Sequence, residues 1–259
     1  PTGTVKLYID GVEFKPTLTI GSNGKVTRTI PYYNLWPEDH TITAYYTPSS
    51  PEQFLPSDNA EGDEALLQIV NKADASFEIS SDVANPVASQ AVKLAVQLTH
   101  PTQELVIPTG TVQFFDGEIA ISGELPLDMD GFAEMTQVVR LSAGEHSITV
   151  RYSGDEYFKS VLNSPVQPVQ VAKADTTTEI LSALPLEDVV VGQPVTVLVE
   201  VSVVAPAVET PAGSVVVSNG DDECTVDELD VYGKGSCDLV ATSTGAKTLT
   251  ATYQESANH

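Results

Sequence analysis

The acidic side chains have the clearest chemical potential in this chain, and they fall in four short groups. Calcium takes roughly six to eight oxygen ligands, and acidic loops between β-strands can supply them. The sequence therefore predicts calcium-binding loops, with solvated loop charge as the simpler explanation of the same residues. The stretch Asp128-Met129-Asp130-Gly131 lacks the glutamate of an EF-hand loop and is also typical of a hairpin turn. The four groups are Asp58, Glu61, Asp63 and Glu64; Asp128 and Asp130; Asp155 and Glu156; and Asp221 and Asp222.

The two cysteines, Cys224 and Cys237, are predicted to form a disulfide. Cys224 follows the turn at Asn219-Gly220, and Cys237 lies in a strand led by Gly235, so we expect the two on neighbouring strands. Closing so short a loop would stabilise the fold by about 3 kcal/mol in the chain-entropy account. Two buried free thiols are the alternative. A disulfide implies an oxidising, exported location, and no Cys-x-x-Cys motif supports a zinc or redox site.

The histidines favour a structural role over catalysis. His40 and His146 each begin a similar segment, and recurrence at one position predicts a structural hydrogen bond at a corner of the fold. A catalytic triad needs a nucleophile and an acid that converge on one histidine. No Gly-x-Ser-x-Gly elbow or other nucleophile motif is present. We therefore predict that the protein is not an enzyme and has no cofactor other than structural calcium.

Aromatic residues supply one alternative function. Trp36 is the single tryptophan, with Tyr32, Tyr33 and Tyr45 close to it in sequence. Carbohydrate-binding modules stack sugars on exposed aromatic rings, whereas ordinary packing explains the same residues.

The charge balance limits the partners. The 259 residues include 12 Lys and Arg against 36 Asp and Glu, a net charge of −24. Affinity for nucleic acid and for anionic membranes comes largely from cationic side chains, so nucleic acid is not expected as a partner. Hydrophobic residues make up 41% of the chain, which is enough for a packed core. No run of about 18 apolar residues is present, so no membrane span is predicted.

Three sequence markers recur at intervals of about 100 residues. Pro1-Thr2-Gly3-Thr4-Val5 returns at 108–112 and, with two changes, at 211–215. The segment 40–46 returns at 146–152 and 247–253, and Lys72-Ala73-Asp74 returns at 173–175. The constant order predicts three repeated domains: an N-terminally incomplete one at 1–72, a complete one at 73–172 and a C-terminally incomplete one at 173–259.

Within each repeat the hydrophobic pattern has a period of two, which is typical of strands with one face on a core. Asp-Gly and Asn-Gly pairs mark turns between these segments. About seven short strands in roughly 100 residues predict an immunoglobulin-like β-sandwich. The fold class is therefore all-β, with tandem sandwiches in an extended array. The alternating apolar residues are Val92, Leu94, Val96 and Leu98; Ile148, Val150 and Tyr152; and Val195, Val197, Val199 and Val201.

The order of these motifs resembles the bacterial Ig-like repeats, of the group 3 type, found in secreted and cell-surface proteins. The match is best at 108–112, 144–155 and 173–177, whereas the Gly154-Asp155 turn has no counterpart in the first and third copies. The resemblance implies a tandem array that serves as the stalk or spacer of an exported or bacterial cell-surface protein. The family carries no common active site, so the resemblance transfers no catalytic residue.

These observations predict a structural, non-catalytic segment of an extracellular protein: a rod-like stalk or spacer, a surface-layer or filament component, or part of an adhesin. A carbohydrate- or protein-binding Ig-like module is the alternative, either by itself or as an accessory to a secreted enzyme. The join at 171–176 has no Gly/Ser-rich spacer, which predicts restricted angles between neighbouring domains of the same chain. The incomplete end repeats are interpreted as a slice of a longer array. Exchange of strands between chains, giving a fibre or layer, is the competing hypothesis.

Overall fold

The computed structural model describes residues 1–60, 65–101 and 106–259. Three of the predicted calcium ligands, Glu61, Asp63 and Glu64, lie outside the described residues. The backbone divides into two compact units. Unit 1 comprises Pro1–Ser76, Thr99–Gly110 and Ser153–Ser160, and unit 2 comprises Phe77–Leu98, Thr111–Tyr152 and Val161–His259.

The first repeat folds into one antiparallel sheet with strand order β2-β1-β3-β4, in which β5 also pairs with β3. Asp10 and Gly11 join β1 to β2 with φ values of 49° and 79°. Two successive positive φ values suit a tight hairpin, as the Asp-Gly pair predicts. The strands are β1 (Gly3–Ile9), β2 (Val12–Thr19), β3 (Asp39–Pro48), β4 (Ser57–Asp58) and β5 (Leu66–Ile69), and a 3-10 turn covers Tyr32–Asn34.

The middle repeat is a β-sandwich. One sheet has the order β10-β9-β14-β15 with β11 on β9, and the opposite side holds β12-β8-β6 and the pair β13-β7. Leu94, Val96, Leu98 and Ile148 are fully buried, which confirms the period-two pattern. The strands are β6 (Ser76–Ser81), β7 (Ala91–Val92), β8 (Leu94–Thr99), β9 (Thr111–Asp116), β10 (Ile119–Ala120), β11 (Leu125–Pro126), β12 (Phe132–Glu134), β13 (Val139–Arg140), β14 (Gly144–Tyr152) and β15 (Gln167–Val171).

The third repeat forms two three-stranded sheets, β16-β17-β20 and β19-β18-β21. Val197, Val199 and Val201 of one sheet pack with Val215 and Val217 of the other in a single buried cluster. The strands are β16 (Thr176–Leu184), β17 (Pro194–Val203), β18 (Ser214–Ser218), β19 (Glu223–Val226), β20 (Lys234–Val240) and β21 (Thr250–Gln254).

The predicted disulfide is present between Cys224 and Cys237, with their Cα atoms 5.9 Å apart. Cys224 lies in β19 and Cys237 in β20, so the bond covalently joins the two sheets of the third sandwich. It closes a short loop and removes conformations chiefly from the unfolded chain.

The structure confirms the all-β class. All the pairs of named strands fall within the stretches 1–72, 73–172 or 173–259. The division into three domains with these boundaries remains a prediction, and limited proteolysis would test it. None of the described residues forms a helix long and apolar enough to cross a bilayer.

Candidate functional site at the junction of the second and third repeats

The connection from β15 to β16 consists of Ala172, Lys173, Ala174 and Asp175, all within unit 2. Hydrogen bonds hold its first residue in place. The Ala172 N–H donates to the Pro86 carbonyl at 2.9 Å, and the Ala88 N–H donates to the Ala172 carbonyl at 2.8 Å. The chain therefore leaves the middle sandwich already fixed to the loop that follows β6.

The Lys-Ala-Asp motif binds the end of the third repeat. The Ala174 N–H donates to the Asn258 carbonyl at 2.8 Å. Lys173 Nζ donates to Glu255 Oε2 at 2.9 Å and to the Ser256 carbonyl at 2.8 Å. The hydrogen bond from Lys173 and its positive charge hold the pKa of Glu255 below its usual range.

The earlier copy of the motif makes the same contacts inside unit 1. Lys72 Nζ donates to the Asp155 carbonyl, and the Ala73 N–H donates to the Tyr157 carbonyl at 2.8 Å. In both copies the lysine thus binds the loop that follows the Tyr-ending strand. The recurrence of the motif has a structural cause, because its lysine and alanine tie the start of one repeat to the same loop each time.

Small apolar residues form the centre of the junction. Ala88, Ala174 and Ala207 are 0%, 4% and 5% exposed, and Val87, Ala143 and Val203 pack around them. Alanine side chains allow the backbones of the two repeats to approach closely, and close packing of this kind resists bending. The burial of these alanines thus adds to the restriction that the short connection places on the angle between the two repeats.

Two polar side chains complete the junction. Ser89, 5% exposed and with φ of 58°, accepts hydrogen bonds at Oγ from the Val208 and Glu209 N–H groups, both at 3.1 Å. Asn258 accepts from the Ala143 N–H at Oδ1 and donates from Nδ2 to Glu209, both at 3.0 Å. Neither Ser89 nor Asn258 belongs to a repeated sequence motif. The residue equivalent to Ser89 in the third copy is Gly192, whose N–H donates to the corresponding carbonyl.

The histidines that recur in the sequence bind the turns of their own sheets. His40 Nδ1 lies 2.7 Å from Asp10 Oδ2, and His40 Nε2 donates to the Trp36 carbonyl at 2.8 Å. Asp10 Oδ1 accepts from the Thr41 N–H at 2.8 Å. The hydrogen bond that His40 Nδ1 donates to the Asp10 carboxylate raises the pKa of His40, and the same bond lowers the pKa of Asp10.

The middle repeat contains the same arrangement. His146 Nδ1 lies 2.6 Å from Asp116 Oδ2, and His146 Nε2 donates to the Ser142 carbonyl at 3.0 Å. Desolvation opposes a charged His146, but the bonds to Asp116 and Ser142 outweigh it and raise the pKa of His146. The predicted structural hydrogen bond at the sandwich corner is present in both copies.

The third repeat has Lys247 at the histidine position. Lys247 Nζ contacts Asp221 Oδ2 and donates to Ser243 Oγ at 2.6 Å. In each repeat, a basic side chain thus binds the carboxylate of a turn and an oxygen of the residue four positions before it. The third repeat uses lysine in place of histidine.

One group of three potential metal ligands occurs among the described residues: Asp10, Glu38 and His40, whose ligand atoms lie within 4.8 Å of one another. It contains none of the predicted calcium residues. His40 Nδ1, the ring nitrogen that faces Asp10, already lies within hydrogen-bond distance of Asp10 Oδ2 at 2.7 Å, and His40 Nε2 donates to the Trp36 carbonyl. In the middle repeat the same Asp–His pair occurs with Gly144 at the position of Glu38. The hydrogen-bonded corner therefore explains these residues better than a metal site does.

Four donors saturate the carboxylate of Asp155. Its Oδ1 accepts from the Tyr157 and Phe158 N–H groups at 2.8 and 2.7 Å, and its Oδ2 accepts from the Thr109 N–H and hydroxyl at 2.7 and 2.8 Å. Desolvation raises the pKa of Asp155, but the hydrogen bonds outweigh it and the net shift is downward. Asp155 orders its own loop.

The remaining predicted ligands also serve turns. Asp128 Oδ1 accepts from the Asp130 and Phe132 N–H groups, both at 2.9 Å, as expected for a hairpin turn. Asp222 binds Thr242 through both carboxylate oxygens, at 2.6 and 3.0 Å. Asp221 accepts from the Ser243 hydroxyl and contacts Lys247, and Asp58 accepts from the Ala60 N–H. Glu156 is exposed. Calcium binding remains a prediction.

Trp36 packs edge-on against His40, with ring centroids 5.3 Å apart, and is 42% exposed. Tyr45 packs similarly against Tyr8 at 5.0 Å. Both rings therefore have intramolecular partners, as the packing interpretation predicts.

The fold and the repeated corners define an immunoglobulin-like sandwich protein. Residues 79–172 match the family of bacterial Ig-like domains, group 3. The match covers most of the middle repeat, and it confirms the resemblance drawn from the sequence. No curated protein sequence matches the chain.

Several solved structures are similar to the chain at low sequence identity. A tetra-tandem repeat from the extending region of a large adhesion protein has a TM-score of 0.49 at 14% identity, covering 98% of this chain and 63% of that one. The Escherichia coli adhesin FdeC has a TM-score of 0.29 at 11% identity, covering 85% and 71%. A Ca2+-stabilized adhesin that helps an Antarctic bacterium reach out and bind ice has a TM-score of 0.25 at 17% identity. The similarity covers 98% of this chain and 64% of that one. The chain therefore spans less than two thirds of the first of these structures.

Proposed function

We propose that residues 1–259 are a non-catalytic structural segment of an adhesin-type protein on the bacterial cell surface, acting as a spacer whose successive Ig-like repeats are held at restricted angles. The observation that carries this proposal is the junction of the second and third repeats. There, a connection without glycine or serine is hydrogen-bonded on both sides and packed against Ala88 and Ala207. A connection that is both short and packed transmits orientation, whereas a flexible linker would not.

Two further observations support an exported location. Residues 79–172 belong to a bacterial Ig-like family. The disulfide between Cys224 and Cys237 would persist in an oxidising compartment and would be reduced in most cytosols. Immunogold labelling of intact cells with antibodies to residues 1–259 tests this part of the proposal, and labelling that requires permeabilised cells would contradict it.

The junction can be tested by distance measurement between spin labels on the two repeats. Labels at Asp130→Cys and Asp227→Cys, both exposed, report the separation of the second and third sandwiches by double electron–electron resonance. We expect a narrow distance distribution. Ala207→Asp places an unpaired charge at a position that is 5% exposed, and the distribution should broaden because the junction opens.

Ala120→Asp is the matched control, since it makes the same substitution at an exposed residue of β10. It should leave the distribution narrow. A broad distribution in the unsubstituted chain would refute a restricted junction, and an unchanged one in the Ala207→Asp variant would show that the alanine contact does not maintain it.

A further inference from the structure

The sheet that contains β9 and β14 carries an arginine over a buried aromatic ring on its outer face. Thr149 pairs with Phe115 across the two strands, and Arg151 pairs with Gln113, so these four side chains share one face. Val150, between Thr149 and Arg151, is fully buried in the core, which places the four on the opposite face. We call Gln113, Phe115, Thr149 and Arg151 the arginine site.

A ring contact fixes the guanidinium of the arginine site. Arg151 is exposed, and its Cζ lies 3.8 Å from the centroid of the Phe115 ring. Phe115 is only 4% exposed although it lies on the outer face. Cation–π attraction holds a guanidinium flat on such a ring. The planar fork of N–H donors is therefore ordered before any ligand arrives, and binding costs little side-chain entropy.

The protein does not neutralise the charge of Arg151. Six lysines form ion pairs with carboxylates. The guanidinium of Arg151 has neither an ion pair nor a hydrogen bond with any other described residue, although the chain contains 36 Asp and Glu. A cation without a carboxylate partner in so acidic a chain is available to an anionic group from outside.

Two neutral polar groups lie on the same face as the guanidinium. Thr149 is 7% exposed, and its hydroxyl has no partner among the described residues. Gln113 donates from Nε2 to the Ser122 carbonyl at 2.9 Å, which leaves its Oε1 to accept from a ligand. The arginine site thus combines one ordered cation with a hydroxyl and an amide oxygen.

The three repeats differ at this position. The first copy has Tyr45 in place of Arg151, and Tyr45 packs on Tyr8. The third copy has Thr252. A residue that the fold itself requires would recur, as the basic side chain at the sandwich corner does. The arginine is therefore a property of the middle repeat and not of the sandwich.

We propose that the arginine site binds the carboxylate of an acidic saccharide, which Arg151 holds as a bidentate pair while Thr149 and Gln113 contact sugar hydroxyls. The planar fork of an arginine matches a carboxylate. A single cation suits a ligand with one charge per sugar unit, and the net charge of −24 repels dense polyanions such as phosphate polymers. This inference does not depend on the proposed spacer function.

The strand pairing favours a saccharide over an acidic peptide. β14 has β9 on one side and β15 on the other, and beyond β15 its end at Tyr152 pairs with Val161. A peptide that binds by strand addition needs an unpaired backbone edge, which β14 does not offer. Side chains on the face of the sheet must therefore supply the contacts, and those beside Arg151 suit hydroxyl groups.

The test is a titration of isotope-labelled residues 1–259 with D-glucuronate, followed by NMR at the Arg151 Nε–H and at the backbone amides of β14. We expect saturable shifts with a dissociation constant of about 1 mM, which is reasonable for a ligand of this size. D-Glucose keeps the sugar ring without the carboxylate, and acetate keeps the carboxylate without the ring. Both should bind about tenfold more weakly or worse, since each lacks half of the contacts.

A matched pair of protein variants locates the binding. Arg151→Gln removes the cation of the arginine site, whereas Arg140→Gln removes the same charge from another exposed arginine of the middle repeat. We expect the first to weaken glucuronate binding about tenfold or more and the second to leave it unchanged. Arg151→Lys keeps the charge and much of the cover over Phe115, and it should still weaken binding about fivefold because an ammonium lacks the planar fork.

Four results would overturn the proposal. The first is the absence of saturable shifts at Arg151. The second is equal weakening by Arg151→Gln and Arg140→Gln, which would reduce the effect to overall charge. The third is acetate binding as tight as that of glucuronate, which would show a carboxylate site without sugar recognition. The fourth is tighter binding of a peptide of alternating glutamate and alanine, which would assign the site to an acidic peptide.

Discussion

The buried Asp10–His40 pair should make the stability of the first repeat depend on pH. His40 is fully buried, and the charged groups that face it are Asp10 and Glu38. The pKa of His40 is raised above its ordinary 6.5, so its contribution is complete below that pH and is lost as pH rises through the raised value. The pKa of Asp10 is lowered below its ordinary 3.8, so its contribution is lost only as pH falls through the lowered value. Both groups are therefore charged between pH 3.8 and 6.5.

The perturbation is Asp10→Asn, which keeps the shape of the side chain and removes its charge. Hydrogen bonds to charged groups contribute roughly 1.5–3 kcal/mol and neutral ones about 1 kcal/mol. Because the Asp10 side chain is 36% exposed, solvent screening reduces the difference, and we expect a loss of about 1 kcal/mol at pH 5.5. The loss should shrink as the pH rises through the raised pKa of His40, because the imidazole then becomes neutral.

The assay is urea unfolding followed by the fluorescence of Trp36, which packs on His40 and is the single tryptophan. With an m-value of roughly 1–2 kcal/mol/M, the midpoint should fall by about 0.5–1 M at pH 5.5. Asp39→Asn is the control, because it removes the same charge from an exposed neighbouring residue. A loss that does not shrink as the pH is raised from 5.5 until the histidine titration is complete, or one that is equal in the control, would refute the argument that an ion pair to His40 stabilises this corner.

The other predictions concern the second and third repeats and the calcium loops. Thr149→Val should raise stability by about 1 kcal/mol in thermal unfolding, because the buried Thr149 hydroxyl has no hydrogen-bond partner among the described residues; destabilisation would show that it does have one. Replacing Cys224 and Cys237 by serine should cost about 3 kcal/mol, measured against the oxidised chain, and dithiothreitol should reproduce the loss without mutation. EDTA should leave the melting temperature unchanged, because N–H and hydroxyl donors of the protein already occupy the carboxylates of Asp155 and Asp222. A rise in melting temperature on adding calcium would instead support the predicted loop sites.

Local patterns in the sequence were enough to predict most of the fold. The alternation at Leu94, Val96 and Leu98 identifies a half-buried strand because side chains on a strand point alternately to its two faces. The Asp10-Gly11 pair predicts a hairpin because its backbone needs positive φ values. The recurrence of His40 and His146 predicts a structural role, since two copies of a catalytic residue at one structural position would be unexpected.

The candidate site was predicted only in part. The short connection at Lys173-Ala174-Asp175 indicates a restricted junction, but nothing in the sequence marks Ser89 or Asn258 as its polar contacts. Ser89 Oγ accepts hydrogen bonds from residues more than 100 positions later in the chain, and such pairings have no local signal. For the acidic groups, the sequence predicts a site that their contacts do not favour. Their composition indicates calcium, whereas in the structure several of their carboxylate oxygens accept hydrogen bonds from neighbouring N–H and hydroxyl groups.

The sequence by itself determined the strands, the turns, the repeats and the likeness of the middle repeat to a family of Ig-like domains, because each depends on residues close together in the chain. Only the tertiary structure decided which surfaces are covered. Ala88 and Val191 occupy equivalent positions in their repeats, because the residues that follow them, Ser89 and Gly192, donate their N–H groups to the corresponding carbonyls of Leu141 and Ala241. Ala88 is fully buried, yet Val191 is 51% exposed. The difference arises because the Ala172 backbone and the loop around Ala207 lie on Ala88, and no described residue does the same for Val191. Burial depends on what the folded chain brings to a surface, and that is not encoded in the residue itself.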